Sequence, residues 1–351
     1  MTAGPPAAGP SFPVAIVEPT TLLGRDVRAV LTERKFPASR VHLFHQAAGD
    51  TGLLAADGDE VAFVAPLTPD ALETSRIAFL CGSAAETARF LATRVDGALA
   101  IDLSGVRNGQ ALVIPSEGGE SRTLPPGNLF LTPHPVAFVL AETIRLVQTL
   151  APVTGVTAAV DRPTSELGKA ALDELYQQAL ALATFRPLPK EILETQGAFN
   201  FWVPPDSDAF ERSVADDMAA LLGRPIPTTI LSARSGVFHG HFLRIELRLG
   251  GDAPKASALL ASFRAQKHAF DVVDPEDLSG PVESAGRDET LLLRCETSGR
   301  RVALTLAADH LRRAGALLAV RLAEQAAGER GWLAVVAQEV VHTRGRGEAC
   351  E

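Results

Sequence analysis

The chain has 351 residues, 46% hydrophobic and 21% charged, with 33 Lys plus Arg against 42 Asp plus Glu and a net charge of −9. The length suits about two domains, and the composition excludes disordered, collagen-like and strongly basic nucleic-acid-binding classes. No apolar run reaches the roughly 18 residues of a membrane span, and Cys81, Cys295 and Cys350 are too few and scattered for a disulfide framework or zinc site. MTAGPPAAGPSFP lacks the basic start and apolar centre of a secretion signal. Residues 1–12 are expected to form a disordered arm, on a soluble cytoplasmic protein.

VAIV at 14–17 is a short apolar run suited to a buried parallel strand. Thr20 or Thr21 is placed to cap a helix over 21–34. Strand-like runs recur at 40–44, 61–64, 76–80 and 99–102, with helical patterns between some of them, notably 83–95. This alternation predicts an α/β, Rossmann-like, doubly wound parallel sheet over 13–133. After residue 133 the texture changes. A helix at 136–150, a strand at 153–160 and a long helix at 165–183 precede a Pro-rich stretch from Pro187 to Pro227. Alternating segments follow at 229–238, 241–249, 290–296 and 301–307. HFLRIELRL at 241–249 has the rhythm of a half-exposed antiparallel strand, so 134–309 is predicted as an α+β domain with a mixed sheet. A helix at 310–327 completes the first domain, and the Gly/Arg-rich tail at 328–351 is expected to fray.

Five local motifs fall in a telling order. They are AFN at 198–200, Pro204 after it, RSGVFHGH at 234–241, AGRDE at 285–289 and AADHLRRAGALLAVRLAE at 307–324. Together they resemble the aspartate-semialdehyde dehydrogenase family over about residues 13–325. The resemblance implies reduction of an acyl phosphate with NADPH. A Cys thiolate forms a thioester, a His acts as acid/base, and an Arg holds the substrate carboxylate. A thiolate suits that role as both nucleophile and leaving group. The resemblance also implies a dimer, to which the apolar 136–150 helix would contribute; the plainer reading of that helix is burial in its own subunit.

The departures are specific. Pro135 stands where the family has its Cys, so the nucleophile is absent there. Proline suits a first helical turn, which keeps the turn and loses the chemistry. His134 is no replacement, because hydride transfer needs a thioester-like carrier. Cys81, in FLCGS at the end of a predicted parallel strand, has two readings: a relocated thiol at the ligand-binding edge, or a small buried residue. The cofactor turn reads Glu18-Pro19-Thr20-Thr21-Leu22-Leu23-Gly24, where the family has Gly-x-x-Gly-x-x-Gly. Thr20, Thr21, Gly24, Cys81 and Gly82 are the candidate cofactor contacts. Glu18 aimed at a pyrophosphate would cost roughly 3 kcal/mol per charge pair, at ~5 Å and a dielectric of ~20. HQAAGD at 45–50 lacks an Arg for a 2′-phosphate and adds Asp50. In Leu103–Asn108 the family's phosphate Arg is shifted by one position, to Arg107. The family's Glu-x-x-Lys is eroded at Asp216-Asp217-Met218-Ala219-Ala220, whereas Lys169 sits in a Gly-Lys-Ala match.

His241 matches the family acid/base, and reads either as a vestige of it or as a hydrogen-bonded strand His. Arg234 matches the carboxylate-binding Arg. His239 and His241 are expected to alternate on a strand, but no third ligand is near in sequence, so no metal is expected. The reading is a catalytically inactive paralogue with a binding or scaffold role and no expected cofactor. It would be a homodimer, or a heterodimer with a related dehydrogenase, with a small dicarboxylate as possible ligand. The alternative is an active NAD(P)-dependent semialdehyde dehydrogenase with altered chemistry.

Overall fold

The computed structural model describes residues 11–46, 53–57, 60–93, 97–105, 107, 112–116, 122–274 and 276–332. The first sheet draws on β1 (Phe12–Val17), β2 (Ala38–His45), β3 (Leu53–Asp57), β4 (Glu60–Pro66), β5 (Ile77–Leu80), β6 (Leu99–Asp102) and β7 (Leu129–Leu131). Their order is β3-β4-β2-β1-β5-β6-β7. All run parallel except β3, which pairs antiparallel with β4. Val14 to Val17 have no exposed surface, as a central strand covered on both faces requires. Helix α1 (Leu22–Glu33) covers one face and α2 (Ala84–Thr93) the other. β3 and β7 have no counterpart in the sequence reading.

Helix α3 (Pro135–Gln148) leads into the second sheet. β8 (Val153–Arg162), a 3-10 turn at Thr164–Leu167 and α4 (Lys169–Ala183) come next. They are followed by β9 (Phe201–Trp202), α5 (Ser207–Leu222), β10 (Thr228–Ser235), β11 (His241–Leu249), α6 (Ala256–Ala265), β12 (Phe270–Val272), a short α7 (Pro281–Ser284), β13 (Thr290–Ser298) and β14 (Arg301–Ala308). The order β12-β13-β14-β11-β8-β10-β9 is mixed, with β8/β10 and β12/β13 parallel. One face carries the core, formed with α3, α5 and α6. The other face, with Leu231, Arg244, Glu246 and Arg294, is not covered by the described residues.

Several expectations are corrected. Phe12, placed in the disordered arm, is the buried first residue of β1. The strand expected to run to 238 stops at Ser235, and His239 lies in the turn before β11, so His239 and His241 do not share a strand. Gly240, with φ of 85°, makes that turn. The Pro-rich region contains a full helix, α5, whose Phe210, Val214 and Met218 fall on one helical face and are buried. The expected 310–327 helix begins as a π-helical turn at Arg312–Ala316 and becomes α8 only at Leu317–Glu329. Finally, α3 is buried in its own chain, with Val136 to Ala141 all buried; its apolar surface meets the second-sheet core, Ala314 and Leu318. It is therefore not available to a partner.

Helix α8 returns to the first sheet, where Ala316, Leu317, Val320 and Ala323 pack with Ile16, Val27 and Val30. The π turn places residues 310–315 between the two sheets. Its tightness needs Gly315, where a Cβ would lie 2.8 Å from both the His310 carbonyl oxygen and Leu23 Cδ1.

Candidate functional site

A cavity of about 480 Å³ lies between the two sheets. Thr21 to Leu23, then Ser104, Gly105 and Arg107, and Thr132 to Pro135 approach it from the carboxyl ends of β1, β6 and β7. That edge is where parallel sheets bind ligands. Arg162, Glu166, Asp206 and Arg234 line it from the second-sheet side, and His310, Leu311, Ala314 and Gly315 from the segment at the π turn.

Pro135 is the first residue of α3 and lies on the cavity wall. Its missing N–H costs nothing there, because first-turn N–H groups have no partner within the helix. His134 caps the helix: its Nδ1 accepts the Val136 N–H at 3.1 Å. Nδ1 is thus the acceptor, and the neutral ring carries its proton on Nε2. Burial pushes the His134 pKa down to about 3. The ring stands edge-on to Phe210, centroids 4.8 Å apart, so it is held as a structural cap.

Arg162, Arg234 and His241 converge on one residue that the sequence reading missed, Glu166. Arg162 Nε donates to Glu166 Oε2 at 2.7 Å, and Arg234 Nη1 to the same oxygen at 3.2 Å. His241 Nε2 lies 2.7 Å from Oε1. Asp206 closes the set at the rim, 3.2 Å from Arg162 and 3.3 Å from Arg234. Burial by itself would raise the Glu166 pKa, yet the hydrogen bond and charge of His241 and the charge of Arg162 hold it well below the usual carboxylate range. Two guanidiniums facing two carboxylates leave this end of the cavity near neutral. Arg234 is therefore no open anion receptor. Arg162 at the end of an apolar strand, with a Glu four residues on, was the sequence signal for this cluster. His310, buried with neither ring nitrogen hydrogen-bonded, stands 5.0 Å from the His241 ring centroid.

The expected cofactor contacts take other roles. Thr21 Oγ1 accepts the Gly24 N–H at 3.0 Å and donates to the Glu18 carbonyl at 2.9 Å, as an N-cap. Thr20 is exposed. A Cβ on Gly24 would lie 2.3 Å from the Glu18 carbonyl oxygen, so the retained glycine serves close packing of α1 against the turn. Glu18, at φ of 60°, turns its carboxylate to the Gln46 backbone N–H. It does not confront the turn's own amides, so the repulsion estimated above does not apply in that form. A Cβ on Gly82 would meet Gln46 Oε1 at 2.4 Å and Glu18 Cγ at 3.1 Å. These two side chains stand beside Gly82, next to the ends of β1 and β2.

Cys81 points into the first-sheet core, and burial, with Asp102 and Glu18 nearby, raises its pKa far from the thiolate range. Cys295 is half-buried on β13, and Cys350 and Asp50 lie outside the described residues. Arg107 is engaged by Asp217 at 2.7 Å, and Lys169 pairs with exposed Asp173 on α4. Among the described residues no group of three His, Cys, Asp or Glu is placed to hold a metal, and no helix is long and apolar enough to cross a membrane.

Comparisons agree with this architecture. No protein-family model matches the chain. It is 23% identical over 330 residues to an aspartate-semialdehyde dehydrogenase of Rickettsia bellii, covering 90% of this chain and 97% of that one. It is 29% identical over 340 residues to a USG-1 protein homolog of Pseudomonas aeruginosa, covering 89% and 96%. Among solved structures, a probable aspartate-semialdehyde dehydrogenase from Pseudomonas aeruginosa superposes with a TM-score of 0.78 at 27% identity, over 90% of this chain and 98% of that one. Aspartate semialdehyde dehydrogenase II from Vibrio cholerae shares the fold, with a TM-score of 0.77 at 18% identity over 91% and 99%. With a parallel Rossmann-like sheet and a mixed second sheet, the chain shares the two-domain fold of these aspartate-semialdehyde dehydrogenases and is similar to them over nearly its whole length.

Proposed function

We propose that this chain is a non-catalytic member of the aspartate-semialdehyde dehydrogenase family, acting by binding instead of turnover and without a nicotinamide cofactor. The observation that carries the reading is Pro135 on the cavity wall at the start of α3. No sulfur is offered at the position where the resemblance puts the thiolate, and Cys81 faces the core. An acid/base without a nucleophile has no acyl transfer to serve. The Glu18 and Gln46 side chains beside Gly82 support the same reading for the nucleotide.

The binding role points to the uncovered face of the second sheet. Phe201, opposite Ser235, shares that face with Leu231, and Leu231 is register-matched to Ala159. Leu231 is 58% exposed and Phe201 63% exposed, and Phe199 and Val203 continue the apolar strip at the edge. Such a strip suits subunit contact, with a second copy or with a related dehydrogenase.

The test is direct. NADP(H) and NAD(H) are titrated by calorimetry to millimolar concentration, and turnover is assayed with aspartate semialdehyde, phosphate and either nucleotide. Absence of both binding and turnover is expected. Micromolar nucleotide binding with turnover would establish the alternative, an NAD(P)-dependent oxidoreductase of altered chemistry.

A further inference from the structure

Three strands each send one polar side chain to a single point. Arg162 ends β8, Arg234 lies near the end of β10, and His241 begins β11. Arg162 and Arg234 are each 5% exposed and His241 2%. Two buried guanidiniums side by side repel each other and demand an anion. Glu166 supplies it from outside those strands, on the Thr164–Leu167 turn. Both of its oxygens are used, Oε2 by the two arginines and Oε1 by His241.

The turn is fixed in place. Thr164 N–H donates to the Val237 carbonyl at 2.9 Å, Ser165 N–H to the Phe238 carbonyl at 3.0 Å, and Thr164 Oγ1 to the Ser235 carbonyl at 3.1 Å. The anchors come from the β10–β11 connection, so the turn and the strand ends form one unit. Arg162 is also stacked on Phe210, its guanidinium carbon 3.9 Å from the ring centroid. The receptor is rigid, and its geometry is that of a carboxylate site.

We propose that Glu166 is an internal ligand: its carboxylate occupies a carboxylate-binding site built by Arg162, Arg234 and His241, and keeps free small carboxylates out of it. The inference concerns what fills the site before any reaction and stands apart from the non-catalytic reading. The charge count agrees. Removing Glu166 leaves two guanidiniums against Asp206 alone, a net vacancy for one negative charge, facing a cavity large enough for a small acid.

The test is chemical rescue. Acetate and succinate are titrated into the full chain and into E166A, with calorimetry and thermal unfolding as readouts. The wild type should bind neither acid measurably, and E166A should bind at least one of them roughly ten-fold tighter or better. Its unfolding temperature should rise with added acid, since a ligand that binds only the native state stabilises it, and chloride should not substitute. The added substitution R234L should remove the gain. Should E166A fail to fold, E166S serves: shorter and uncharged, it vacates the site and should lose thermal stability that carboxylate restores and chloride does not. Equal binding by wild type and variant, a folded variant that binds no carboxylate, or a gain that survives R234L would each overturn the proposal.

Discussion

Asp217 Oδ2 lies 2.6 Å from the His134 backbone nitrogen, so a carboxylate from α5 sits on the N-terminal edge of α3. The same oxygen accepts from Arg107 Nη2 at 2.7 Å. A helix N-terminus favours an anion, and here the chain provides that anion itself. With Glu166 on Arg162 and Arg234, two positively charged positions around the cavity are satisfied internally.

Restoring the nucleophile alone should therefore fail. In P135C the thiol would stand at the start of α3, but the neighbouring cationic groups would remain engaged by Asp217 and Glu166. We expect P135C to fold and to show no turnover above buffer with aspartate semialdehyde, phosphate and NADP. The accompanying check is thiol titration: the new Cys should react faster than buried Cys81. Turnover by P135C would mean that one substitution separates this chain from catalysis.

Acid should destabilise the fold through two histidines. Burial lowers His134 to about 3 and His310 to about 4, from 6.5. Both bind protons less readily folded than unfolded, so their stabilising contribution is full above 6.5. It is lost as pH falls from 6.5 toward those values. Each costs up to ~1.4 kcal/mol per pH unit in that window. Asp26 works oppositely: burial, with Asp309 nearby, raises it to about 6, so its contribution is present below the unfolded value and lost as pH rises through 6. Denaturant unfolding at pH 7 and pH 5 should show lower stability at pH 5, and H310Q should flatten that slope. An unchanged slope in H310Q would remove His310 from this account.

Gly24 is under close constraint. A Cβ there would meet the Glu18 carbonyl oxygen at 2.3 Å and Pro19 Cα at 2.8 Å, both backbone atoms. G24A should cost about 1–3 kcal/mol, the usual range for overpacking, seen as a lower denaturant midpoint at unchanged slope. A midpoint equal to wild type would show that α1 slides away without penalty.

The open sheet face should govern assembly. Light scattering on the wild type should give twice the monomer mass, and L231E should give the monomer mass with little change in monomer stability, since Leu231 is already exposed within one chain. A monomeric wild type would remove this face as a self-contact.

Much of the fold was legible from local pattern. The uninterrupted apolar run of β1 and the alternation of HFLRIELRL in β11 each declare a sheet environment in a few residues. Thr21 and Pro135 mark helix starts by side-chain chemistry alone. Helix α5 was hidden among prolines because its burial comes from contact with α3 and β10, which local composition does not reveal.

The sequence by itself determined the two-sheet architecture, from the spacing of its apolar runs, and the proline at 135 and single glycine of the Glu18–Gly24 turn, as residue types at positions. Only the tertiary structure decided where the charges go. Glu166 is four residues from Arg162 but 68 from Arg234 and 75 from His241, and Asp217 is 83 from His134. Electrostatic pairing depends on distance in space, and folding brings those separations to hydrogen-bond length.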